Sequence, residues 1–132
     1  MSRYKLIVSA LFVAFLLSGC SSQKSDAEVA KIEAHKQSIC NSVTGIAENI
    51  MTARLDGAPI RSTIDVVDNM DGSDPMDAAL KIKSKEMIME AYKKPDYMTD
   101  EHKERAITEF GSAQYIKCID DGFAEDLVRS QK

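Results

Sequence analysis

The chain has no tryptophan, and aromatic residues make up only 6% of its 132 positions. A core must therefore be built from Ile, Val, Leu, Met and Ala rather than from large rings. No stretch alternates polar and apolar residues for long, and no Asn-Gly or Gly-Gly pair occurs, which removes the main signals of a hairpin-based fold. The motifs Gly-x-Ser-x-Gly, His-Glu-x-x-His and C-x-x-C are all missing, as are a phosphate-cradling glycine loop and C-x-x-C-H haem attachment. With 17 basic against 21 acidic side chains, net charge −4, the chain lacks the electrostatic footprint of a nucleic-acid binder. It also lacks the basic patch that would attract anionic headgroups. Long apolar runs are scarce too. Leu6 to Leu17 spans 12 positions, short of the roughly 20 that a membrane-crossing helix needs.

That short run is nevertheless the most informative segment. Arg3 and Lys5 precede LIVSALFVAFLL, and Ser18 and Gly19 follow it. A cationic start, an apolar middle and small residues at the end form the layout of an export signal. Its last four residues, Leu17-Ser18-Gly19-Cys20, resemble the lipobox of bacterial lipoprotein precursors. The resemblance implies cleavage before Cys20, diacylglycerol on its thiol and acylation of the new amino terminus. Each buried methylene contributes about 0.8 kcal/mol, so two or three chains make such an anchor effectively permanent. Ser21 stands where Asp tends to retain lipoproteins at the inner membrane of a diderm host, so the resemblance implies the outer membrane. Removing the first 19 of 132 residues leaves 113, enough for one modest domain, and Arg3 and Lys5 leave with the leader, taking the net charge from −4 to −6.

The lipobox also divides the three cysteines. With Cys20 lipidated, Cys40 and Cys118 remain as a pair in an oxidising compartment. A disulfide between them closes a loop of 78 residues, which chain entropy values at about 4 kcal/mol. The alternatives are two buried free thiols or a metal site, although two cysteines without a neighbouring histidine are poor zinc ligands.

Beyond the polar tether Ser21 to Asp26, helix signals dominate. Val29, Ile32, Lys36, Ile39, Val43, Ile46 and Ile50 recur at three- and four-residue spacing. Asp26 is the expected cap of this first helix and Gly57 its stop, with Gly45 able to break it into two. A second helix is expected from Pro59, with Ile60, Ile64 and Val67 inward. Asn69 to Asp74 reads as a loop. Ser73 or Asp74 caps a third helix with Pro75 at its first position. Ala79, Leu80, Met87, Ala91 and Tyr92 face its inside, and Pro95 ends it. Thr99 caps a fourth helix, followed by Asp100 and Glu101, which suit the positive helix start. Ala106, Ile107, Phe110, Gln114 and Cys118 share a face, Gly122 closes the helix, and 123–132 is a tail without assigned structure. The expected fold is all-α: a signal peptide over 1–19, a lipidated cysteine and tether over 20–26, and one domain over 27–132. That domain is a bundle of about four helices stapled by one disulfide.

The chemistry offered by the side chains is sparse. Asp68, Asp71, Asp74 and Asp77 suggest calcium, but an EF-hand loop with Gly72 at its sixth position needs acids at 67 and 78, where Val67 and Ala78 stand. His35 and His102 sit among charged residues on expected exposed faces, so neither a metal nor a catalytic role is assigned to them, and no cofactor is expected. Lys81, Lys83 and Lys85 make the third helix basic, while Asp120, Asp121, Glu125 and Asp126 make the tail acidic. The three lysines are the candidate partner face, although an ordinary charged surface has the same pattern. Met51-x-x-Arg54-x-x-Gly57 and Ala91-Tyr92-x-x-Pro95, framed by the cysteines, resemble small exported helical proteins of proteobacteria and their phages, a group with no assigned activity. Arg54 and Tyr92 read as a helix-end hydrogen-bonding pair.

The expected function is a non-enzymatic envelope lipoprotein that binds a protein, with exclusion or immunity among the roles open to a phage-borne example. The alternative is a lipoprotein that binds a small periplasmic ligand.

Overall fold

A computed structural model describes residues 22–131. Among the described residues there are five helices and no strand: α1 (Ser22–Leu55), α2 (Ile60–Asp68), α3 (Pro75–Ala91), α4 (Asp100–Asp120) and α5 (Phe123–Ser130). The expected signal peptide and Cys20 lie outside these residues. None of the described helices is long and apolar enough to cross a membrane. Two units are taken separately, one ending at Glu33 and one beginning at Ala34.

In the first unit, α1 is already helical from Ser22, so Asp26 lies inside it rather than capping it, and most of the expected tether is helix. The stretch from Ser22 holds no Gly or Pro and is rich in Ala, Glu, Lys and Gln, so nothing in it delays helix formation. None of its described side chains is buried. Val29 is 57% exposed and Ile32 half-buried.

The second unit holds the core. Ile39, Cys40, Val43, Ala47, Ile50 and Met51 of α1 are all buried, at spacings that trace one stripe of a helix. Gly45 does not break it. Gly costs about 1 kcal/mol relative to Ala in a helix interior, whereas burying one Val or Ile side chain contributes about 1.5–3 kcal/mol, so the stripe carries the helix through. At its end Gly57 takes φ +86°, its N–H reaching Arg54 O at 3.1 Å while Ala58 N–H reaches Ala53 O at 2.9 Å. These paired bonds satisfy carbonyls that the last turn leaves open.

Pro59 is the N-cap of α2 rather than its first residue. Asp74 caps α3, accepting from Met76 N at 2.6 Å and Asp77 N at 3.2 Å, with Pro75 next. Thr99 caps α4 through His102 N. Thr63 and Val67 face inward from α2, Met87, Ile88 and Ala91 from α3, and Ala106, Phe110, Gly111, Gln114 and Cys118 from α4. Glu90 meets Gln114 and Lys117 while Lys83 meets Asp121, so α3 and α4 run antiparallel.

The tail is a fifth helix. Gly122 at φ +73° turns the chain, and α5 returns Ala124 and Leu127 to the core. Two buried residues in eight are too few for a periodicity to stand out in the sequence. Ser84 is likewise buried, and the sequence pattern passed over it; its hydroxyl donates to Leu80 O at 2.7 Å, which satisfies it inside its own helix.

Candidate functional site

Cys40 and Cys118 form a disulfide, with Cα atoms 5.6 Å apart and both side chains fully buried. The bridge joins α1 to α4 across a separation of 78 residues. Free thiols and a cysteine metal site are thereby excluded.

Lys81, Lys83 and Lys85 do not share one face. Lys81 and Lys85, one turn apart, lean toward the end of α2. The Lys81 ammonium donates to Asp68 O at 2.7 Å, covering a carbonyl of the last turn, and Lys85 pairs with the Asp68 carboxylate. That hydrogen bond to Lys85 is the main reason the Asp68 carboxyl lies below its ordinary range. Lys83 points the other way. It donates to Asp121 Oδ2 at 2.8 Å and lies 5.6 Å from the centre of the Phe123 ring, its side chain only 12% exposed. All three ammonium groups are thus engaged at seams between α3 and its neighbours.

Other polar groups are similarly engaged. The Arg54 guanidinium donates to Asp96 Oδ1 and Lys94 O, each at 2.7 Å, and lies over the Tyr92 ring. Tyr92 donates its hydroxyl proton to Ala58 O and meets the Thr63 hydroxyl at 2.8 Å. Arg54 and Tyr92 thus meet as guanidinium over ring rather than through the hydrogen bond expected between them, and each clamps a connection, after α3 and before α2 respectively. Glu90 Oε2 accepts from Lys117 at 2.7 Å and from the buried Gln114 amide at 3.0 Å. Burial pushes the Glu90 carboxyl up, but these two donors outweigh it and hold it below its usual value. Asp71 accepts from Ser73 N, which lowers its carboxyl, and Asp74 is used as a cap. His35 and His102 are exposed.

Among the described residues, one of the surface clefts is uncharged throughout. Between α1 and α2 runs an open groove of about 310 Å³. Ile46, Asn49, Ile50 and Ala53 form the α1 wall, and Ser62, Thr63, Val66 and Val67 the α2 wall, with Ala58 and Met70 at the connections. No charged residue lines it. The two hydroxyls already have partners within the protein: Ser62 donates to Pro59 O at 2.8 Å, and Thr63 meets the Tyr92 hydroxyl. Val66 is 68% exposed at the rim. The sequence reading placed Ile46 and Val67 on buried stripes and did not see the groove. Its signal is the second column of α2, where Ser62 and Val66 stand one turn apart beside the buried Thr63 and Val67.

Compared with known proteins, the chain matches no family model, no curated protein and no solved structure.

Proposed function

We propose that the chain is an exported lipoprotein, cut before Cys20 and held on the membrane by lipid there, whose helical body binds rather than catalyses. The observation that carries the binding reading is the α1–α2 groove, a concave, uncharged surface whose volume falls within the range of small-molecule sites. Among the described residues most of the strong donors and acceptors are engaged in capping, clamping or bridging, and no set of groups is poised for acid–base or nucleophilic work. The leader and its Leu17-Ser18-Gly19-Cys20 end support the anchor. Ser21 supports the outer membrane, and the Cys40–Cys118 bridge suits an oxidising compartment.

An envelope protein is the first class of partner. A small apolar ligand is the second, and the groove's lining favours it specifically. The anchor is tested by fatty-acid labelling: label is expected on the wild type and lost in Cys20→Ala. Equal labelling of both would overturn it. The binding reading is tested by a photo-crosslinker at Val66 in intact cells, which is expected to capture a discrete adduct. The double variant His35→Ala with His102→Ala is expected to keep the cellular phenotype. Loss of that phenotype with helix content and melting unchanged would overturn the non-catalytic reading.

A further inference from the structure

We infer that the surface methionines Met98, Met89 and Met70 are sites of oxidation to the sulfoxide by peroxides, Met98 first, and that the sulfoxide at Met70 weakens binding at the α1–α2 groove by making its rim polar. The modification stands on its own geometry. Its consequence for the groove rests on the proposed binding reading.

Six of the seven methionines lie among the described residues, and the fold divides them. Met51 and Met87 are each 1% exposed, whereas Met98 is 94%, Met89 49% and Met70 37% exposed. Met76 lies between these groups, half-buried against the core. A thioether reacts by offering a sulfur lone pair to the oxidant, so its rate follows access to the sulfur. Helix α3 holds the sharpest contrast. Two positions turn the chain by about 200° around the helix axis, which puts Met87 inside and Met89 outside. Met98 stands between Tyr97, packed against the core, and Thr99, the cap of α4. Arg54 holds the stretch just before it through Lys94 O and Asp96 Oδ1. Met98 is therefore presented to solvent from a segment that is itself tied down.

The step is a transfer of one oxygen atom. The sulfur lone pair takes the outer oxygen of hydrogen peroxide, an S–O bond forms and the O–O bond breaks. The hydroxide released takes the proton left on the transferred oxygen and departs as water. Sulfur loses an electron pair and the peroxide gains it. At Met98 and Met89 the new oxygen stays hydrated, so the fold has no reason to change. Met70 differs because its side chain lines the groove beside Ile46, Ile50 and Val66, where no charged residue stands. Oxidation converts an apolar side chain into a polar one. Covering that oxygen with an apolar partner removes its hydration without returning a hydrogen bond.

The mature chain, with its disulfide intact, is treated with hydrogen peroxide and mapped by peptide mass spectrometry over time. Met98 is expected to react first and Met89 and Met70 after it. Met51 and Met87 are expected to react at least about tenfold more slowly than Met98 until urea unfolds the chain. Helix content and melting are expected to hold while the three outer residues are oxidised. Met98→Leu is expected to remove the fastest phase and no other. Equal rates at Met87 and Met89, or a fastest phase that survives Met98→Leu, overturns the sites.

For the groove, the photo-crosslinker at Val66 is used in cells with and without peroxide. The adduct is expected to fall at least about threefold on oxidation, and to persist in Met70→Leu under the same treatment. An equal fall in both chains overturns the part given to Met70. Absence of any Val66 adduct before peroxide would overturn the binding reading and the consequence for the groove together. The peptide map would then still decide the modification sites.

Discussion

Against α4, helix α1 is drawn in until the Cα atoms of Cys40 and Cys118 are 5.6 Å apart, and further along the Glu48 side chain lies over Gly111. A Cβ built there meets Glu48 Cγ at 2.6 Å. Against α2, the same helix leaves an open groove of about 310 Å³ walled by Ile46, Ile50 and Ala53. One flank is closed by a covalent bond and the approach of two helices, the other by contacts that stop short of filling the space. The closed flank lets the open one stay unfilled, because the bridge supplies stability that a core of this size would otherwise have to find in packing. A surface free of that demand is available for binding.

The comparison is broken most severely at the bridge. Cys40→Ala with Cys118→Ala is expected to lower unfolding stability by about 4 kcal/mol, read as a shift of the urea midpoint at pH 7. A change under 1 kcal/mol would show that the closed flank does not depend on its covalent bond. On the open flank, Tyr92→Phe leaves the buried Thr63 hydroxyl and the Ala58 carbonyl without their partner, for an expected loss of about 1–3 kcal/mol by the same measurement. Gly111→Ala sets a gain in helix propensity against the contact with Glu48, with an expected net loss of about 1 kcal/mol. Glu48→Ala in the same chain should convert that loss into a gain, so a double-mutant cycle without coupling would refute the close approach. Gly45, by contrast, has nothing within 4 Å of a built Cβ, and Gly45→Ala is expected to stabilise by about 0.5–1 kcal/mol.

The smallest effect belongs to Glu90. Its carboxyl lies below its ordinary 4.5 when folded because Lys117 and Gln114 outweigh burial. A depressed folded value means that the charged carboxylate stabilises the fold fully above the unfolded value, and that this contribution fades as pH falls through the lower, folded one. The stability difference between wild type and Glu90→Gln should therefore be larger at pH 7 than at pH 3. A difference that grows on acidification would reverse the sign.

Much of this architecture is legible in the residues themselves. Asp74 before Pro75, Thr99 before two acids, and the glycines at 57 and 122 mark helix ends through local chemistry that the tertiary fold does not alter. The stripe from Ile39 to Met51 is legible for the same reason, since burial repeats with the helix. What the sequence hides depends on partners distant along the chain. Lys81 and Lys83 look like a shared basic face until α2 and α4 bring Asp68 and Asp121 against opposite sides of α3. The start of α1 at Ser22 escapes because Asp26 offers a cap that the helix has no need to use. The groove escapes because a wall of Ile and Val reads like core when the missing opposite surface cannot be seen.

The bridge has a consequence for the chain as a covalent object. Asn69 to Asp74 is exposed throughout, the kind of loop where proteases cut. Cys40 lies before that loop and Cys118 after it. A single cut there separates α1 and α2 from α3, α4 and α5 in sequence yet leaves the two pieces joined through sulfur. The nicked molecule becomes a two-chain protein that runs apart on a gel only after reduction, with both walls of the groove on the same piece.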